Sequence, residues 1–190
     1  FASLTRAGSS MMDSFVRPYW RRYQSSGRNA TTAFNEFVRA NVRVMRSDEP
    51  TLAGEPGGTF DPAQLLLTRG ELAPAEPLAL VDNGGGGTDV QWDPSGGQPD
   101  DAVAVVVTTS AGALVSVLTG YTRADEEADL GVTFAERDQY AVHVVPYRPV
   151  AGGEPELAYP GSIRHDPAAN GGLGADVVVT GAAKRAAFLA

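Results

Sequence analysis

LVDNGGGGTDVQWDP, residues 80–94, decides the fold class. Four consecutive glycines join two apolar runs, and they could cradle a phosphate, form a hinge or simply turn the chain. A Walker-type phosphate loop requires Lys and Ser/Thr directly after the glycines, at the start of a helix. A dinucleotide fingerprint needs a helix at the same point. Here Thr88, Asp89, Val90, Gln91 and Trp92 follow, alternating as a half-buried strand does. Asp82 and Asp89 flank the run and would repel phosphate. The stretch therefore reads as strand, flexible connection, strand, with Val90 and Trp92 on one face and Trp92 in a core.

Outward from it, the same texture continues. QLLLTRG (64–70), PLALV (77–81), AVAVVVTT (102–109), ALVSVLTG (113–120), LGVTF (130–134), YAVHVVPYR (140–148) and ADVVVT (175–180) are short. They are rich in valine and threonine and bounded by Gly, Pro, Asn or Asp, which marks strands. TSAG, between two of them, reads as a tight hairpin turn. No long helical pattern separates these runs, so an antiparallel sandwich or barrel is expected. An early strand carrying Trp92 and a late Tyr140-x-Val142-x-Val144 strand resemble fibronectin type III and related immunoglobulin-like modules, which implies a fold and no activity.

Upstream the period changes. Met11, Met12, Phe15, Val16, Tyr19, Trp20 and Tyr23 recur at spacings of three and four, the stripe of an amphipathic helix. Pro18 falls inside it and should kink or restart the helix. QSSGRN reads as a turn, and Thr31 or Thr32 can cap a second helix. That helix carries Phe34, Phe37, Val38, Val42 and Met45, with Asn41 as a hydrogen-bonded interior residue. Pro50 and the GEPGG run end it. The expected organisation is a basic helical hairpin over 1–46 and a linker with one short strand over 47–76. An acidic sandwich with a C-terminal strand and tail follows over 77–190.

AFNEFVRANVRVM (33–45) and FDPAQLLLTRGELA (60–73), followed by a sandwich with a Val-x-Trp strand, resemble a family of small uncharacterised bacterial proteins. In that family Ala33, Phe34, Asn35 and Asn41 match an AFN-x5-N helix, and Thr68, Arg69 and Gly70 match a strand ending in S/T-R-G. The chain lacks the glycine-rich apolar segment with which members begin. The resemblance implies a helical N-terminus before an immunoglobulin-like sandwich and supplies no catalytic residue.

At 190 residues the chain suits one domain, or one domain with a helical appendage. It has no cysteine, so neither a disulfide nor a thiolate metal site is possible. No apolar run reaches the roughly 18 residues of a spanning helix. The chain starts at Phe1 and not Met, so the natural N-terminus is expected to be missing, processed or unresolved. Among 15 basic residues Lys184 is the sole lysine. Residues 1–46 hold eight arginines and two acids, a net +6; the remainder holds seven bases and 21 acids, a net −14. An overall charge of −8 argues against general nucleic-acid affinity, and a basic head on an acidic body points to association.

The candidate chemistry is sparse. His143, opposite Val142 and Val144, reads as a surface or partly covered side chain. His165 lies in SIRHDP, where Asp166 could orient it and Ser162 is the nearest nucleophile, but no G-x-S-x-G elbow is present. ADEEAD (124–129) lacks the spacing and glycine of an EF-hand and reads as a solvated turn. Asn29-Ala30-Thr31 is a formal glycosylation sequon. No catalytic, cofactor or metal residue is assigned.

The expectation is thus a mainly β protein, an immunoglobulin-like antiparallel β-sandwich preceded by an amphipathic helical hairpin. Its expected role is that of a non-catalytic subunit self-associating in an extracellular filament, virion or other surface assembly. Arg17, Arg21, Arg22, Phe188 and Leu189 are the expected interface. The alternative is a glycan- or protein-binding sandwich module, with Tyr121, Tyr147 and Tyr159 as candidate contact aromatics.

Overall fold

A computed structural model describes residues 2–26, 31–47 and 60–190. The fold is an immunoglobulin-like antiparallel β-sandwich with a helical layer on the outer face of its larger sheet. One sheet has the order β1 (Pro77–Asp82), β2 (Gly87–Trp92), β5 (Glu127–Thr133). The other runs β4 (Leu114–Thr122), β3 (Ala102–Thr109), β6 (Tyr140–Arg148), β8 (Gly161–Asp166), β9 (Ala175–Val179), with short β7 (Glu156–Leu157) beside β6. The chain changes sheet between β2 and β3 and again between β4 and β5, which gives the Greek-key connection of such sandwiches.

Side-chain alternation sorts the strands into two cores. Val103, Val105 and Val107 of β3 and Val142 and Val144 of β6 point between the sheets, meeting Leu80, Val90, Trp92, Leu130 and Ile163. Trp92 is 1% exposed; its indole Nε1 donates to Arg123 O at 3.0 Å and its ring meets Tyr121 edge-on. Ala104, Val106 and Val145 point the other way, under the helices, with Trp20, Phe37, Val44 and Leu65–Leu67. Strands β3 and β6 are therefore buried on both faces, which is why they read as continuous apolar runs.

The helical layer has three parts. The first arm runs through α1 (Ala2–Ser10), a π-turn (Met12–Val16) and α2 (Arg17–Trp20), with Pro18 the second residue of α2, directly after the π-turn. The second arm is α3 (Ala33–Ser47), which buries Ala33, Phe37, Ala40, Asn41 and Val44. Thr32 Oγ1 accepts from Asn35 N at 3.1 Å and caps it. The third part was expected to be an apolar tail. GAAKRAAFL instead forms a helix, Gly181–Leu189, which packs on α3. Alanine is the strongest helix former, and Thr180 Oγ1 and the Glu76 carboxylate accept from its first free N–H groups. This helix is α5, because it follows the four-residue segment α4 (Ala169–Gly172), a turn in which Asn170 and Gly171 are left-handed.

QLLLTRG, expected to be a strand, forms no ladder. After a turn at Pro62–Gln64 it runs as an extended cord between helices and sheet, with Leu65, Leu66 and Leu67 fully buried. Buried backbone must find partners, and here side chains supply them. Lys184 Nζ donates to Leu65 O, Asn41 Nδ2 to Leu66 O, Trp20 Nε1 to Leu67 O and Tyr23 OH to Arg69 O, at 2.9, 3.1, 2.7 and 2.7 Å. Asn41 Oδ1 also accepts from Leu66 N at 2.7 Å, so its expected interior role is met. No helix among the described residues is long and apolar enough to cross a membrane. Pro50, the GEPGG run and Asn29 and Ala30 of the sequon lie outside the described residues.

Candidate functional site

The glycine run is a β1–β2 connection, and its donors are already taken. Asp82 Oδ1 accepts from Gly84 N and Gly86 N, and Asn83 Oδ1 from Gly85 N and Gly87 N, at 2.8–3.2 Å. Gly84 and Gly86 take φ of +81° and +83°, a region that glycine alone enters freely. A phosphate would find a carboxylate where it needs amide N–H groups, and β2 follows where a phosphate loop would need a helix.

The densest chemistry lies elsewhere. His143 on β6, Ser162 on β8 and Lys184 on α5 meet between the larger sheet and the helical layer. His143 was expected at or near the surface; it is 0% exposed, because the face of β6 opposite the sandwich core is covered by the helices. Ser162 is 0% and Lys184 1% exposed. Lys184 Nζ lies 2.5 Å from Ser162 Oγ, Ser162 Oγ lies 2.7 Å from His143 Nδ1, and His143 Nε2 lies 3.3 Å from Thr108 Oγ1. One orientation satisfies every group. Lys184 donates to Ser162, Ser162 to His143 Nδ1, the neutral imidazole through Nε2–H to Thr108, and Thr108 to Ala141 O.

Burial pushes the Lys184 amine down to about 7, against a smaller upward pull from Glu76 and Asp61. Burial, and then the neighbouring Lys184, hold His143 well below its ordinary value. A serine beside an amine that loses its proton near neutrality is a nucleophile–base pair in composition. In position it is a seam: all three side chains are sealed, and a substrate would have to displace α5, which carries the base. Sequence reading set Ser162 beside His165 and Asp166. The structure turns His165 to Asp176 (Nδ1 to Oδ1, 2.8 Å) and gives Ser162 to His143 and Lys184, and SIRHDP is strand β8 with the start of a turn. The signal available in sequence was Lys184 itself, the single lysine in an otherwise all-arginine set.

Thr68, Arg69 and Gly70 make contacts within the chain. Thr68 Oγ1 donates to Ala158 O at 2.8 Å. The Arg69 guanidinium stacks 3.6 Å from the Tyr23 ring centroid and lies 4.9 Å from Phe188 and 5.3 Å from Trp20. A Cβ on Gly70 would collide with the backbone carbonyl of Leu157, so only glycine fits.

The expected interface residues divide. Arg22 is tied within the chain, to Glu154 at 2.9 Å and to Pro155 O at 3.0 Å. Phe188 is half-buried against Tyr159 and the arginines Arg43 and Arg69. Arg17, Arg21 and Leu189 are exposed, Arg17 in an open pair with Asp13. Arg17 and Arg21 line an open groove of about 570 Å³ with Pro18, Gln24, Ala33 and Glu154. The acidic run is a 3₁₀ turn (Arg123–Asp125) leading into β5, with Glu126 left-handed at φ 64°; Asp125, Glu126, Glu127 and Asp129 all face solvent. Tyr121 and Tyr147 are half-buried and Tyr159 is buried, so they form no exposed aromatic face.

No family model, curated protein or solved structure matches the chain.

Proposed function

We propose that the protein is a non-catalytic structural subunit that self-associates in an extracellular filament, virion or other surface assembly. The observation that supports this reading is the separation of exposed charge. Arg17 and Arg21 flank an open groove on the helical layer, while Asp125, Glu126, Glu127 and Asp129 crowd an exposed corner of the sandwich. A helical groove of one copy meeting the acidic corner of the next is a heterologous contact, which propagates unless its rotation closes a ring. Arginine suits the contact because its planar fork takes a carboxylate through two hydrogen bonds. Exposed pairs contribute only about 0–1 kcal/mol each, so charge steers and orients while apolar surface, including Leu189, supplies the energy.

The test is reversal of Arg17 and Arg21 to glutamate, leaving Arg22 in its internal contacts. Light scattering should show weaker association with an unchanged circular-dichroism spectrum and melting point. Charge reversal of Glu126 and Glu127 to arginine in the same chain should restore it. A parent that stays monomeric at high concentration rejects the reading.

The second reading, a glycan- or protein-binding module, draws on the same groove. Its distinguishing result is a soluble ligand that protects Arg17 and Arg21 from an arginine-modifying reagent in a monomeric protein.

A further inference from the structure

We infer that α5 is a proton-released latch: a proton taken up at the seam between this helix and the larger sheet lifts α5 from its seat while the sandwich stays folded.

A helix of nine residues is marginal on its own, so α5 persists through what holds it down. Its apolar hold is small. Ala187 and Phe188 are partly buried on the helical side, and no α5 residue enters the core between the sheets. The helix packs on α3 and β8 and belongs to no strand ladder, so lifting it breaks no strand pairing. Polar contacts supply the rest. Glu76 accepts from Gly181 N and Ala182 N at 2.8 and 3.3 Å, and Arg185 meets Glu71 at 2.6 Å in an exposed pair. Exposed pairs hold weakly. Lys184 is the buried anchor, donating to Leu65 O on the cord and to Ser162 Oγ on β8.

The seat suits a neutral amine. Two N–H groups meet two acceptors, whereas an ammonium brings a third N–H and a charge. Among the described residues no carboxylate is within ion-pair distance of Nζ. Glu76 is taken by the amides of α5, and Asp61, before the cord, is engaged by Arg164 at 3.1 Å. The remaining charged groups around the helix give no counter-ion. β6 contributes His143, which accepts from Ser162. The cord contributes Arg69, and α3 contributes Arg43, whose guanidinium lies 5.8 Å from the Phe188 ring centroid, with Glu36 paired to Arg39. A buried charge without a partner is costly, and lifting α5 returns the ammonium to water.

The sign follows from the two states. Docked, Lys184 loses its proton near 7; released, near its ordinary 10.5. Release therefore becomes easier as pH falls from 10.5 to 7, and Lys184 adds nothing further below that. His143, held well below 6.5 in the seat, continues the same trend in acid.

Hydrogen exchange of the full chain between pH 6 and 9, corrected for intrinsic chemistry and followed residue by residue, tests the latch. The amides of residues 186–189 should be at least about tenfold less protected than those of Val142 and Val144 on β6 at every pH, which marks an opening separate from global unfolding. Their opening should increase about fiftyfold from pH 9 to pH 7. Lys184→Met should flatten that increase, whatever its own level of protection, and His143→Gln should retain it. Equal protection of α5 and β6 makes the opening global and overturns the inference. So does a parent whose α5 opening is constant from pH 9 to pH 7, or an increase that survives in Lys184→Met. If Lys184→Met does not fold, the two measurements on the parent decide.

Discussion

Lys184 Nζ lies 2.5 Å from Ser162 Oγ, and through that contact the C-terminal helix is fastened to an interior strand of the larger sheet. The amine also donates to Leu65 O, so one side chain joins helix, sheet and cord. Replacing it should show which property the site needs. Lys184→Met leaves Leu65 O and Ser162 Oγ short of a donor, which costs about 1–3 kcal/mol, offset in part by removal of a desolvated amine. Lys184→Arg should lose more, because a guanidinium cannot shed its proton and needs more room. Urea denaturation of both variants checks the order; an arginine variant as stable as the parent would refute it.

Stability should rise with pH across the neutral-to-alkaline range. Lys184 is lowered to about 7 in the fold from an ordinary 10.5. Between those values the unfolded chain binds a proton that the folded chain does not, so folding becomes more favourable as pH increases. His143 acts with the same sign at lower pH: its folded value lies well below 6.5, so stability falls as the solution is acidified through that value. Melting temperatures of the parent between pH 5 and 10 should show both regions. In Lys184→Met the alkaline gain should be reduced while the acid loss remains.

Trp92 fills the core between the sheets. Trp92→Ala should cost about 3–5 kcal/mol, the range for deleting a large buried aromatic. Trp92→Phe should cost less while still losing the bond to Arg123 O. A loss below about 1 kcal/mol for the alanine variant would contradict the burial of this side chain.

Two glycines separate backbone fit from chain flexibility. Gly85 has open space around it, with Asn83 Oδ1 at 3.4 Å its nearest neighbour, so Gly85→Ser should be nearly neutral. Gly70→Ala places a methyl against the Leu157 carbonyl and should cost about 2 kcal/mol or more, at the upper end of overpacking effects. Calorimetry with nucleotide should detect no binding to the parent or to Gly85→Ser. Clear affinity abolished by that substitution would revive a phosphate role for the loop.

The strands of the sandwich were legible because alternation is a local property: Val90 and Trp92 declare their face without reference to anything distant. Asn41 was legible for a similar reason, a polar residue within an apolar helical stripe. The cord was not. Three leucines and a threonine have a strand's composition, but whether they pair depends on what lies beside them, and here side chains from α2, α3 and α5 replace a partner strand. His143 was misplaced because nothing in its strand reports that helices cover the second face. β8 was passed over because GSIRHD serves two environments, with Ile163 in the sandwich core and Ser162 turned to Lys184, so no two-residue period emerges. The seam of His143, Ser162 and Lys184 joins residues 19 to 41 positions apart and has no local signature.

The cord also fixes the order in which the molecule can be completed. Its carbonyls wait for donors at Trp20, Tyr23 and Asn41, made before it, and at Lys184, made 119 residues after it. During synthesis the three leucines therefore emerge with their helical partners already present and their last partner still to come. Until Lys184 is made, the Leu65 carbonyl lacks the donor it has in the finished fold, although the other cord carbonyls already have theirs.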